Sequence, residues 1–118
     1  MQKDYEKAIS QFNKIIDGKD AVAQNAYYHL GESYFILNKK QQALHAFKNA
    51  SEMEFNPSIQ EDAHLNYAKL SYEIGNSYQS VPAVLMHFLK KYPTNANHSE
   101  IEKLLIDSYI STMNTRYI

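Results

Sequence analysis

Apolar residues recur along the chain at steps of three and four, the period of a helix with one buried face. Tyr5, Ala8, Phe12 and Ile15, with Ile9 and Ile16 beside them, predict a first helix over about Lys3 to Asp17, closed by Gly18. Ala26, Leu30, Tyr34 and Leu37, with Tyr27 and Gly31 on the adjoining edge, predict a second over Val22 to Leu37. "NKK" is too short for a strand or a long loop, so a third helix, Lys40 to Glu54, must fold back antiparallel. Its stripe is Ala43, Leu44, Phe47, Ala50 and Met53, and Asn56-Pro57 stops it. A fourth helix spans Ser58 to Ile74, opened by the capping-box pattern "SIQE" and ended by Gly75. A fifth covers Ser77 to Lys91, with Pro82 forcing a loose first turn or a late start near Val81. A sixth, Ser99 to Met113, opens on "SEIE". No segment alternates as a strand would, and 3 Gly and 3 Pro are too few for many hairpin turns. The expected fold is all-α, six antiparallel helices and no strands.

The pattern repeats. Ala8 and Phe12 match Ala43 and Phe47, 35 residues on in each case. "YFILNKKQQAL" matches "YEIGNSYQSV", which sets Asn38 over Gly75. "LGESY" at Leu30 matches "LIDSY" at Leu105. Self-similarity near 34 residues, two helices to each unit, indicates a solenoid.

These residues resemble the tetratricopeptide repeat family over nearly the whole chain. That family places a large residue, Leu-Gly and Tyr in its first helix, then Ala, Phe and Ala in its second, followed by Pro. The central unit supplies Tyr27, Leu30-Gly31, Tyr34, Ala43, Phe47, Ala50 and Pro57. Tyr27 replaces the family's Trp, and Pro57 arrives about two residues late. The third unit offers Tyr67-Ala68, Gly75, Ser80, Val84 and Pro93, with His87 where a small Ala is usual; the fourth has Ile106 at the small position. The resemblance implies an alpha-alpha superhelix (TPR solenoid) forming a single domain, 1–118. Its parts are the second helix of one repeat (1–20), two full repeats (21–57 and 58–93) and the first helix of another (94–118). The ending "LKKYP" and the slightly long period are most similar to the subgroup found in bacterial envelope proteins.

By the same resemblance, the first helix of each repeat lines a concave, partner-binding groove. The groove positions are Asn25, Tyr28, Glu32 and Phe35, then Asp62, Leu65, Lys69 and Tyr72, then Glu100, Lys103, Asp107 and Ile110. Aromatics mixed with carboxylates and an occasional Lys suit an extended peptide or a helix. The Lys and Asn pattern with which some members clamp a terminal carboxylate is absent.

Composition narrows the function further. A net charge of −1, from 12 basic and 13 acidic residues, offers nothing to nucleic acid. No stretch approaches the ~20 apolar residues of a membrane span. Cysteine is absent, and His29, His45, His64, His87 and His98 show no metal-ligand spacing. There is no nucleophile elbow and no phosphate loop. The expectation is a non-catalytic protein–protein interaction scaffold with no cofactor, no metal and no membrane insertion. The alternative is an architectural element that stacks on neighbouring repeats or self-associates through its ends. Tyr5, Phe12 and Ile16 at one end, and Leu104, Leu105, Tyr109, Met113 and Ile118 at the other, have no neighbouring helix to cover them. On that reading the chain is part of a longer array.

Overall fold

Each apolar stripe forms a helix. The structure, a computed structural model, describes residues 2–116. Along it run α1 (Gln2–Asn13), α2 (Ala21–Ile36), α3 (Lys40–Glu52), α4 (Pro57–Ile74), α5 (Val81–Lys91) and α6 (His98–Arg116), with no strand among the described residues. The chain divides into two compact units, Met1–Tyr67 and Ala68–Ile118, the boundary falling inside α4.

In the first unit α2 packs against α1 and α3. Ala23, Ala26 and Leu30 of α2 are buried, as are Ala43, Leu44, Ala46, Phe47 and Ala50 of α3. At Gly31 the backbone of α2 comes close against a side chain of α3. A Cβ on that residue would stand 2.6 Å from the nearest ring carbon of Phe47. The ring is itself buried, so it cannot swing clear.

Gln24 is fully buried in this apolar setting. Its Nε2 donates to the carbonyls of Ala50 and Met53, and its Oε1 accepts from the Asn56 amide at 2.7 Å. One side chain thereby ties the C-terminal end of α3 to the turn into α4, accepting and donating where the helix leaves backbone groups open. Gln60 adds a bond from Nε2 to the Ser51 carbonyl at 3.1 Å.

In the second unit α5 packs against α6, burying Val84, Leu85 and Phe88 with Ile101 and Leu105. Ser80 caps α5 by accepting from the Ala83 amide, and Pro82 sits in the first turn, where its missing donor costs no helical bond. The late start at Val81 is therefore the one adopted. Lys90 and Lys91 occupy the last turn of α5, favourable for cations beside the exposed carbonyls. His87 is exposed and takes no place in the core.

Other boundaries differ from the sequence pattern. α1 stops at Asn13, because the Lys14 and Ile15 amides bond back to Gln11 and Phe12, tightening the chain out of the α-helix. Ile15 consequently leaves the stripe and is exposed, and Gly18 does not close the helix. α3 ends at Glu52, where Met53 turns extended. The Ser-x-x-Glu patterns are not the caps of α4 and α6. Asn56 Oδ1 accepts the Ser58 and Ile59 amides at the start of α4. Asn97 precedes α6, its carbonyl accepting the Ile101 amide and its side chain donating to Glu100 at 2.8 Å. α6 runs past Met113 to Arg116, and Ile118 lies outside the described residues. Asn38 and Gly75, paired in the repeat, both have positive φ, 60° and 82°. They turn the chain out of α2 and α4 respectively, a conformation open to Gly and Asn.

Gly31→Ala is expected to lower unfolding stability by about 1–3 kcal/mol, the range for overpacking. Combined with Phe47→Leu it should cost less than the sum of the two single changes. Urea titration of the four proteins checks this, and strict additivity would place the close contact elsewhere.

Candidate interaction surface

Half of the residues expected in a groove are bonded to one another. On α2, Asn25, Glu32 and Phe35 are exposed, while Tyr28 is half-buried. The Tyr28 ring meets Phe47 edge-on, centroids 5.9 Å apart, and its hydroxyl donates to Asp62 on α4. Asp62 also accepts from Asn66 Nδ2 at 3.3 Å. Leu65 is buried and offers no surface to a partner. In the second unit the Tyr72 hydroxyl donates to Asp107 of α6, and Lys69 Nζ lies 3.5 Å from Glu100. Lys103 and Ile110 are exposed.

Both tyrosine–carboxylate bonds link residues about one repeat apart, 34 in the first unit and 35 in the second. Burial, followed by the hydrogen bond to Asp62, pushes the Tyr28 phenol above its usual range. The bond to Asp107 does the same for Tyr72. Glu100 is held below the usual carboxylate range, first by Asn97 and then by the Lys69 charge. That ion pair is solvent-exposed, so it contributes little to stability.

A second feature was not singled out in the sequence. Between α1 and α2 lies an open cleft of about 520 Å³. Tyr5, Ala8, Phe12 and Ile36 form its apolar lining, and Asp4 and Glu32 stand among them. Phe12 stacks on His29 at 5.7 Å, and His29 Nδ1 lies 2.8 Å from Glu32 Oε1. The half-exposed stripe of α1 was the available signal. Only the folded backbone shows that α2 turns Glu32 and Ile36 toward it.

Among the described residues, no group of three or more His, Asp or Glu side chains could hold a metal ion. No described helix is long and apolar enough to cross a membrane. Compared with protein-family models, curated proteins and solved structures, the chain shows no match.

The Tyr28 bond has a pH signature. A phenol raised in the folded state favours the protonated, folded form. Its contribution is complete below the usual tyrosine value of 10.0 and is lost as pH rises above it. Tyr28→Phe should cost about 1 kcal/mol at neutral pH and flatten the fall in stability above pH ~10. Chemical unfolding at neutral and alkaline pH measures both effects; equal alkaline slopes in the two proteins would remove the bond from the account.

Proposed function

We propose that the chain is a non-catalytic protein-interaction scaffold of the tetratricopeptide type, its helix pairs stacking as repeats of a right-handed superhelix. Three observations support the repeat reading. Gly31 lies against the Phe47 ring, with no room for a Cβ between the two helices. The left-handed positions recur at Asn38 and Gly75. The tyrosine–carboxylate bonds recur at one-repeat spacing.

The observation that carries binding is Phe35. It is 48% exposed on α2, on the helix that also exposes Asn25 and Glu32. An aromatic anchor one turn from a carboxylate suits a peptide or helix carrying an apolar residue next to a basic one. The intramolecular bond of Tyr28 to Asp62 holds the helix that presents this surface.

The test is selection of ligands from a displayed peptide library on the purified chain, followed by affinity measurement. Phe35→Ala should weaken the selected peptides at least tenfold, about 1.4 kcal/mol or more, with an unchanged melting temperature. Tyr28→Ala is a poorer probe, because it also removes packing on Phe47 and the bond to Asp62. Selected peptides that bind Phe35→Ala at full strength would overturn the proposed surface.

A further inference from the structure

Carboxylates and aromatic rings converge from two helices at the cleft between α1 and α2. Asp4, in the first turn of α1, and Glu32, near the end of α2, both line it and both are exposed. Tyr5 and Phe12 of α1 add half-buried aromatic side chains. Among the described residues, no Lys or Arg lines the cleft. His29 Nδ1 lies 2.8 Å from Glu32 Oε1, and the Phe12 ring stacks on His29 with the planes 20° apart. That contact orients Glu32 through one carboxylate oxygen, whereas a carboxylate accepts through two. Asp4 adds a second carboxylate from the other wall.

Charge complementarity calls for a cation, and the openness of the cleft decides which. A Lys ammonium is compact and strongly hydrated, so it gains little by leaving water for a wide, solvent-open site. An Arg guanidinium is planar and more weakly hydrated, and it stacks on aromatic faces. Its five donors form a fork that can reach carboxylates on two walls. The apolar side chains of Ala8 and Ile36 suit the aliphatic stem behind it. The cleft volume of about 520 Å³ lies within the range of ligand-sized clefts and holds one such side chain.

We infer that the α1–α2 cleft takes an arginine side chain of the peptide held at Phe35. Position ties the two together. Glu32 lies one helical turn before Phe35, and Ile36 of the cleft follows Phe35 directly. A partner whose apolar residue meets Phe35 therefore brings a nearby side chain over the cleft. In an extended peptide that side chain is two residues along, and in a helix three or four. The inference rests on the proposed peptide-binding function for its partner, and on the residues of the cleft for its chemistry.

NMR titration of the purified chain with N-acetylargininamide reads the cleft without any peptide. The probe should shift the ring signals of Tyr5, Phe12 and His29. N-acetylcitrullinamide, which keeps the shape and loses the charge, should bind at least tenfold more weakly, and N-acetyllysinamide should also bind more weakly. Glu32→Gln and Asp4→Asn, at exposed positions where the fold survives, should each weaken the arginine probe at least threefold. Phe12→Leu, checked for helicity by circular dichroism, keeps an apolar side chain but removes the ring and should weaken it as well. The second arm takes peptides selected on the chain and replaces each arginine in turn by citrulline. One replacement should weaken binding at least tenfold, and the Asp4→Asn, Glu32→Gln double variant should erase that difference. A citrulline probe that binds as well as the arginine probe would overturn the inference. So would shifts that spare Tyr5 and Phe12, or selected peptides that carry no arginine. Peptides that need their arginine yet bind Phe35→Ala at full strength would support the cleft and sink the Phe35 surface, so either idea can fail alone.

Discussion

The close approach of α2 to α3 at Gly31 governs the first unit. With no Cβ at that position, the α2 backbone settles onto the ring of Phe47, and the Ala residues at 23, 26, 43 and 50 close the rest of the seam. Small residues facing one large ring make a tight contact with a single register, because sliding either helix brings a side chain onto the ring. Once α2 is seated, its other sides are aimed. One meets α1, one sends the Tyr28 hydroxyl to Asp62, and one buries Gln24 at the end of α3. Substitution at Gly31 therefore disturbs more than the pair it touches.

The polar bonds have a different role from the apolar seam. A hydrogen bond from a neutral phenol to a carboxylate is directional and stronger than one between neutral groups. It therefore selects an arrangement among those that apolar packing alone would tolerate. Tyr28 with Asp62 and Tyr72 with Asp107 each apply this selection within their own unit. Neither requires the burial of an unpaired charge, because the donor is uncharged at neutral pH and Asp107 stays exposed. The same side chains at the same helix positions would suit a peptide ligand equally well, which is why composition alone could not separate the two uses.

What could be read from the sequence follows from the range of each interaction. Helix periodicity is local, so all six helices were legible, and the repeat pattern set Gly31 and Phe47 among its matched positions. The chain reversals at Asn38 and Gly75 were legible because few residues accept a positive φ. The caps were displaced: Asn56 sits just upstream of the first Ser-x-x-Glu pattern and its side chain takes the Ser58 and Ile59 amides, while Asn97 precedes the second and accepts the Ile101 amide at its backbone carbonyl. The early end of α1 left no mark, because the stripe continues through Ile15 and Ile16 after the helix has stopped. The pairing of Tyr28 and Tyr72 with carboxylates was out of reach, as it joins residues a full repeat apart. Gln24 was hidden for the same reason: a polar residue in an apolar stripe signals nothing until the carbonyls it satisfies are in place.

Gln24 also changes what a loop is in this molecule. The segment between α3 and α4 has no regular structure, and segments of that kind usually trade their amide protons with solvent quickly. The Asn56 amide, however, is held by an oxygen of a side chain that is itself sealed between helices. Its proton can leave only when Gln24 withdraws, and Gln24 can withdraw only when α2 lifts from α3. The Asn56 amide therefore keeps time with the opening of the helix pair rather than with its own turn. In an exchange experiment it stands as a slow site within a fast stretch of chain.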